Sequence, residues 1–432
     1  MATIYGTSAR NKLIGGTSAD IIYGLAGNDQ LNGGGGDDVA YGGSGNDKLY
    51  GEAGDDALYG DSGTDYAYGG LGDDEIYGQA GADRLFGDAG SDFILGGDQN
   101  DVAFGGTGAD LIFGGDGNDA LYGGFGSDEL DGGAGNDVLI GGHGADILSG
   151  GSAGVDTVSY AGSDQAAGVT IRLDLGFGAE GDAEGDTYFA IDNAVGSIHD
   201  DVIYGNTANN VLNGNSGDDY IVDGLGNDTV YGGDGNDMVV ATEGGTDTYD
   251  GGVGRGDILD LSSFTAAVNV NLTTGKVVSG NTDTIRNFEV VIGTDQADTF
   301  TGSAGTDTIV AGAGADTIRS MAGFDKLYGG ADGDVFRFLS ADVTNSTFGW
   351  LGYDKIFDFD STEDHLDVSG MLTGIVFADI NDVVSLVDDG TSTILSARYT
   401  TANTEEVRFA VLVGVTGMTV DDLDTAGVFI TA

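Results

Sequence analysis

Between Gly15 and Ser149 an apolar side chain returns every nine residues: Ile22, Leu31, Ala40, Leu49 and onward to Leu148. The register holds without a slip through fifteen consecutive nonapeptides, beginning GGTSADIIY, GLAGNDQLN, GGGGDDVAY and GGSGNDKLY. Each opens on glycine, carries aspartate at position six and places the apolar residue at position eight. A sixteenth unit, GTSARNKLI, precedes them at Gly6, with Asn11 where the others have aspartate. Self-similarity at a short fixed period marks a repeat architecture.

The spacing predicts the local structure. Glycines at positions one, often two, and four allow backbone angles closed to other residues, so they form a tight turn. Residues seven to nine form a very short strand. Side chains alternate across a strand, so position eight faces a thin core while seven and nine face outward. Two nonapeptides make one coil of eighteen residues, with position-six carboxylates along its rims. Stacked strands lie roughly 4.8 Å apart, which brings the aspartates of units i and i+2 together. At that distance they repel unless a cation lies between them. Carboxylates with inward carbonyls make a hard, all-oxygen donor set suited to calcium.

The pattern GGxGxDxUx, with U apolar, resembles the RTX family of glycine- and aspartate-rich repeat proteins of Gram-negative bacteria. The resemblance implies an all-β fold of calcium-bound parallel β-rolls (a right-handed solenoid). It implies many Ca2+ ions, held by position-six carboxylates of units i and i+2 with carbonyls of the glycine turns. In the first roll these residues are Asp20, Asp29, Asp38, Asp47, Asp56, Asp65, Asp74, Asp83, Asp92, Asp101, Asp110, Asp119, Asp128, Asp137 and Asp146. A second roll supplies Asp201, Asp219, Asp228 and Asp237, with Asn210 in one aspartate place. A third supplies Asp298, Asp307, Asp316, Asp325 and Asp334; its turns have fewer paired glycines, and its sites are expected to be weaker.

The expected divisions follow the clock: a first roll over 1–152, a β insert over 153–195, a second roll over 196–260, a second β insert over 261–292, a third roll over 293–337, and a C-terminal β cap over 338–432. The two inserts mirror each other. DTVSYAGSDQAAGVTIRLDLG aligns with DILDLSSFTAAVNVNLTTG, and DTYFAIDNAVGS with DTIRNFEVVIGT. Asp247 and Asp257 sit in irregular, lengthened units. Beyond Phe338, FADINDVVSL suits a short helix, VRFAVLVGV a strand, and TVDDL a helix start capped by Thr419. GYDKIFDFDSTEDHLDVSG resembles the region after the repeats in exported RTX proteins, and DTAGVFITA looks like an uncleaved type I secretion signal.

Composition sharpens this picture. There are 72 acidic residues against 14 basic ones, a formal charge of −58, with 83 glycines, no proline and no cysteine. Such a charge excludes nucleic acid as a partner and leaves a cation as the natural counter-species. Without cysteine there are no disulfides, so metal is the available staple. The N-terminus lacks the features of a signal peptide, and no apolar run is long enough to span a membrane. The expected location is outside a Gram-negative cell, reached by type I secretion machinery.

No catalytic motif survives inspection. Gly150–Gly154 fits GxSxG but closes a repeat block instead of a strand–helix elbow. Gly176–Gly181 fits GxGxxG without a surrounding βαβ unit. Histidine occurs only at 143, 199 and 365, so there is no HExxH zinc site. His143 is expected to be exposed. Arg255-Gly256-Asp257 spells an adhesion tripeptide, but Asp257 falls where a repeat aspartate belongs. Position nine carries Tyr41, Tyr59 and Tyr77 on one sheet and Tyr50, Tyr68, Phe86, Phe104 and Tyr122 on the other. These are expected to stack as ladders or to form an association surface for self-assembly or a cell-surface partner. The chain is therefore expected to be a non-enzymatic structural or surface protein: surface layer, biofilm matrix or adhesion. The repeats begin at residue 6, so no catalytic domain is expected ahead of them. The alternative is the calcium-binding export region of a larger secreted enzyme or toxin.

Overall fold

The computed structural model describes residues 1–163, 165–339, 353–370, 384–388, 390–398, 406–416, 418–420 and 429–430. Two compact units divide the chain, Met1–Ile221 and Val222–Ala432. Both are parallel β-solenoids, and no helix among the described residues is long and apolar enough to cross a membrane.

In the first unit each strand from Thr3–Tyr5 to Glu129–Ala134 pairs in parallel with the strand eighteen residues later, and consecutive strands go to opposite sheets. Lys48–Ala53 pairs with Tyr66–Leu71, setting Leu49 against Ala67 and Tyr50 against Tyr68. The next strand, Ala57–Ser62, pairs with Glu75–Ala80 in the other sheet. The apolar position eight is the core, and all fifteen side chains from Ile22 to Leu148 are buried. Most strands of the regular roll have six residues, twice the expected length. Pairing runs on through the first three positions of the next unit, where Gly35 N–H still donates to the Gly16 carbonyl at 2.9 Å.

Where the nine-residue clock breaks, the stacking does not. Val138–His143 pairs in parallel with Thr157–Ser159, which pairs with Asn193–Val195. Ile147–Ser149 pairs across a longer gap with Thr187–Phe189. The extra residues leave as an antiparallel hairpin, Thr170–Arg172 with Phe177–Ala179. Thr170–Arg172 then pairs in parallel with Val202–Tyr204.

The second unit repeats this device. Thr248–Val253 pairs in parallel with Asn281–Arg286, and Ile258–Asp260 with Val290–Ile292. Lys276–Ser279 runs antiparallel between Asn269–Asn271 and Asn281–Arg286. After the third set of repeats, Asp354–Ile356 continues one sheet and His365–Asp367 the other. Val384–Asp388, Ser392–Arg398 and Glu406–Val413 form an antiparallel sheet that joins Asp354–Ile356. VRFAVLVGV is thus a strand. The helix expected over FADINDVVSL is not found at its described end, since Val384–Leu386 pairs with Leu395–Ala397. Residues 377–383 of that segment lie outside the described residues, as do 421–423 of TVDDL. Of DTAGVFITA, the described Phe429–Ile430 pairs with Leu366–Asp367.

Candidate metal centres

Position six is the residue at which the chain leaves a turn and enters a strand, and stacking repeats it every coil. Each such aspartate donates its backbone N–H to Oδ1 of the aspartate one coil on. The bond is 2.7 Å from Asp47 to Asp65, from Asp65 to Asp83 and from Asp83 to Asp101. All thirteen i, i+2 pairs of the first roll, from Asp20–Asp38 to Asp128–Asp146, are joined in this way. The same bond joins Asp201 to Asp219, Asp298 to Asp316, Asp307 to Asp325 and Asp316 to Asp334. Asp228 and Asp237 are joined to Asp247 and Asp257, so the irregular units keep the ladder.

The second carboxylate oxygen is the unusual feature. From Asp29 to Asp146, Oδ2 is buried and accepts no hydrogen bond, and the same holds at Asp316, Asp325 and Asp334. Leaving one buried acceptor unsatisfied costs about 1–3 kcal/mol, and more for a charged group. The position-one glycine shows what surrounds this atom. A Cβ built on Gly60 would lie 2.7 Å from Asp65 Oδ2 and 2.9 Å from the Gly78 carbonyl oxygen. On Gly78 it would lie 2.6 Å from both Asp83 Oδ2 and the Gly96 carbonyl. A carboxylate oxygen and a carbonyl of the next coil therefore converge on a space that only glycine leaves open. Positions two and four hold it open in the left-handed region, with Gly70 at φ +115° and Gly72 at +125°. Glu52 and Asp61, which occupy position two without being glycine, are bent into the same region at +77° and +69°.

Burial, together with neighbouring carboxylates, raises the pKa of many of these groups, Asp47 and Asp56 to about 6. Asp65, Asp74, Asp92 and Asp128 are pushed up to about 7, and Asp101 to about 8. Bonds from the preceding aspartate's N–H work against the shift and do not cancel it. Among the described residues no three acidic or histidine side chains converge. A metal here would take its shell from two carboxylates and backbone carbonyls, all hard oxygen donors, which fits calcium.

The RTX calcium-binding nonapeptide repeat (4 copies) matches this chain over residues 5–40, 33–67, 59–94, 95–130, 122–158, 195–222, 213–244, 288–318 and 311–339. The chain belongs to this family. As an RTX protein it is a calcium-binding repeat protein, and its parallel β-roll architecture agrees with the matched segments. Among solved structures it is similar to the AlgE6R3 subunit of the Azotobacter vinelandii mannuronan C5-epimerase, at 32% identity, over 32% of this chain and 80% of that one, with TM-score 0.19. It is also similar to the extracellular lipase LipA from Serratia marcescens, at 14% identity, over 79% of this chain and 40% of that one, with TM-score 0.13. No match is found among curated proteins.

The RTX ladder extends beyond the residues that the nine-residue clock picks out. Asp137 donates to Asp156 and Asp146 to Asp186, each at 2.8 Å. In the second unit Asp247 donates to Asp283, Asp325 to Asp354 and Asp334 to Asp364. These five carboxylates escaped the periodic reading because they follow their ladder partners by 19, 40, 36, 29 and 30 residues instead of eighteen. Their signal was present: each has an apolar residue two positions on, Val158, Tyr188, Ile285, Ile356 and Leu366. Position five was also overlooked. Its Asn and Asp side chains form a second, exposed ladder, as where Asp73 N–H donates to Asp55 Oδ1 at 2.9 Å.

Several turns of the RTX fold close differently. At Gly293–Asp298, Thr294 N–H donates to Asp298 Oδ2 at 2.7 Å and its hydroxyl reaches Oδ1 at 3.0 Å. Ser303 does the same for Asp307, and Ser197 for Asp201. Asn206 N–H donates to Asn210 Oδ1, and Gly16 N–H to Asp20 Oδ2 at 2.9 Å.

The remaining motifs find structural places. Asp257 is buried and accepts from Asp237, so Arg255-Gly256-Asp257 does not present its carboxylate. Ser152 N–H bonds the Gly133 carbonyl, and no helix follows it. The GxGxxG segment contains the hairpin strand Phe177–Ala179. His143 is half-buried, contrary to expectation, because the first hairpin brings Asp182 to 2.8 Å of its Nδ1 while Phe125 stacks on the ring. The position-nine rings stack in two rows, Tyr41–Tyr59–Tyr77 at 4.8 Å and Tyr50–Tyr68–Phe86–Phe104–Tyr122 at 4.5–5.1 Å.

Proposed function

We propose that this RTX protein is exported by type I secretion machinery and folds outside the cell on calcium, where it serves as a structural or surface element (surface layer, biofilm matrix or adhesion) and not as an enzyme. The observation that supports this reading is the row of buried carboxylate oxygens without a protein donor, from Asp29 to Asp146 and at Asp316, Asp325 and Asp334. Those carboxylates would hold the ions, together with Asp219, Asp228 and Asp237 and the carbonyls of glycines such as Gly78 and Gly96. Bound calcium supplies positive charge between stacked acidic rims. Each ion present at a hundredfold its Kd adds about 2.7 kcal/mol to the folded state.

Where calcium is scarce, a chain of charge −58 stays expanded and fit to thread an exporter. At about millimolar calcium outside, the sites fill. The export signal would lie in the segment after Phe338, and further partners are a second copy or a surface component. The family assignment rests on the repeats, which do not fix what they are attached to. The other reading therefore stands beside it: the calcium-binding export region of a larger secreted enzyme or toxin. Whether the native reading frame extends upstream of Met1 separates the two.

Circular dichroism during calcium titration and chelation tests the folding step. The β-signal and Tm are expected to collapse in chelator and return with calcium. A metal-stripped protein with an unchanged spectrum and melting point would overturn the reading.

A further inference from the structure

The position-two residue sorts the turns into two kinds. In the open kind it lies in the left-handed region, as do Gly70, Glu52, Asp61 and Gly97 (φ +119°). The closing aspartate then keeps Oδ2 bare. In the other kind position two is Thr7, Ser197, Asn206, Thr294, Ser303 or Asp360, none of which has positive φ. Its side-chain oxygen accepts the N–H two residues on. His199 bonds Ser197 Oγ at 3.1 Å, Ala208 bonds Asn206 Oδ1 at 2.8 Å, Gln296 bonds Thr294 Oγ1 at 2.9 Å and Gly305 bonds Ser303 Oγ at 2.9 Å. This local turn aims the backbone N–H of position two at the closing carboxylate. Asp298 then has donors on both oxygens, with Val268 N–H and Thr294 Oγ1 on Oδ1 and Thr294 N–H on Oδ2. Asp201 likewise takes Val169 N–H and Ser197 Oγ on Oδ1 and Ser197 N–H on Oδ2. Asp20 accepts from Ala2 on one oxygen and Gly16 on the other, with Gly16 outside the positive-φ region.

Apart from the single turn before Asp364, which follows the third roll, these turns occur in adjacent pairs, at Asn11 and Asp20, Asp201 and Asn210, and Asp298 and Asp307. Two turns complete one coil, and each pair stands where a roll begins. We propose that position two selects the ligand of each turn, so that each roll opens on one coil closed by protein donors alone, from which calcium is excluded. A carboxylate whose oxygens already hold N–H and O–H donors turns protons toward the space a cation would need. The bare Oδ2 of the open turns has no such competitor. This inference rests on the calcium reading above.

The test is the number of ions bound per chain, measured by equilibrium dialysis with radiocalcium on the full chain. Asp65→Asn and Asp101→Asn are expected to lose one to two ions each, while Asp201→Asn and Asp298→Asn lose none. Loss of an ion in either of the latter overturns the proposal. Should those variants fail to fold, a gain-of-site variant decides instead. Thr294→Gly with Gln296→Gly rebuilds the glycine turn before Asp298 and is expected to bind at least one ion more than wild type. An unchanged count there rejects position two as the selector. If wild type itself binds no calcium, it is the calcium reading that fails.

Discussion

The turns Gly60–Asp65 and Gly293–Asp298 have the same length, the same closing aspartate and the same buried apolar residue two positions later, Ala67 and Phe300. They solve one electrostatic problem in opposite ways. Thr294 satisfies Asp298 from within its own turn. Among the described residues nothing satisfies Asp65 Oδ2, which faces a glycine-lined gap. The fold therefore does not require metal at every turn. One hydroxyl at position two replaces it, at the expense of the left-handed backbone that would open the gap.

The largest expected effect separating the two kinds is on pH. In the folded, metal-free chain burial pushes several open-turn carboxylates up, to about 6 at Asp47 and Asp56, about 7 at Asp65 and about 8 at Asp101. Their folded pKa values lie above the ordinary 3.8, so the folded form holds protons more tightly than the unfolded one. The penalty on the metal-free fold is absent well below pH 3.8, grows as pH rises and is complete above about 8. In chelator, the far-UV β-signal is therefore expected to rise as pH falls from 8 to 5, with protons standing in for calcium. A spectrum that stays flat over that range would contradict the assignment of bare carboxylates. At Asp307 burial also raises the pKa, but two bonds from Ser303 oppose it.

The next effect is common to both kinds and sharpens the comparison by its sameness. Leu85→Ala and Phe300→Ala are each expected to cost about 2–5 kcal/mol in saturating calcium, since each side chain is buried in the core row of its own unit. Urea unfolding checks this. A much smaller loss at Phe300 would mean that the metal-free turn does not rely on the core as the open turn does.

Thr294→Val removes the capping hydroxyl while preserving shape, and about 1 kcal/mol is expected to be lost at any calcium concentration. A loss confined to high calcium would mean that this turn also binds the ion. The smallest effect belongs to the aromatic rows. Tyr59→Leu removes stacking on Tyr41 and Tyr77 and is expected to cost about 0.5–1.5 kcal/mol. Light scattering of the same variant reports whether the row also supports self-association.

Much of this was legible without coordinates. The recurrence of one apolar residue per nine, with aspartate two positions before it, is enough to derive the coil, the core row and the carboxylate ladder from Asp20 to Asp146. The period is a local property, set by turn length and strand alternation. Position two was visible too, since Ser197, Asn206, Thr294 and Ser303 stand out against the glycines. Its meaning was not, because it depends on the sign of φ and on where one N–H points. Tertiary structure alone decided that the ladder passes through the inserts. Asp146 meets Asp186 and Asp247 meets Asp283 across hairpins that destroy the spacing. Parallel stacking asks only that the returning strand reach the open sheet edge, whatever length of chain lies between, so continuity is settled by hydrogen bonding in space and leaves no regular interval along the chain.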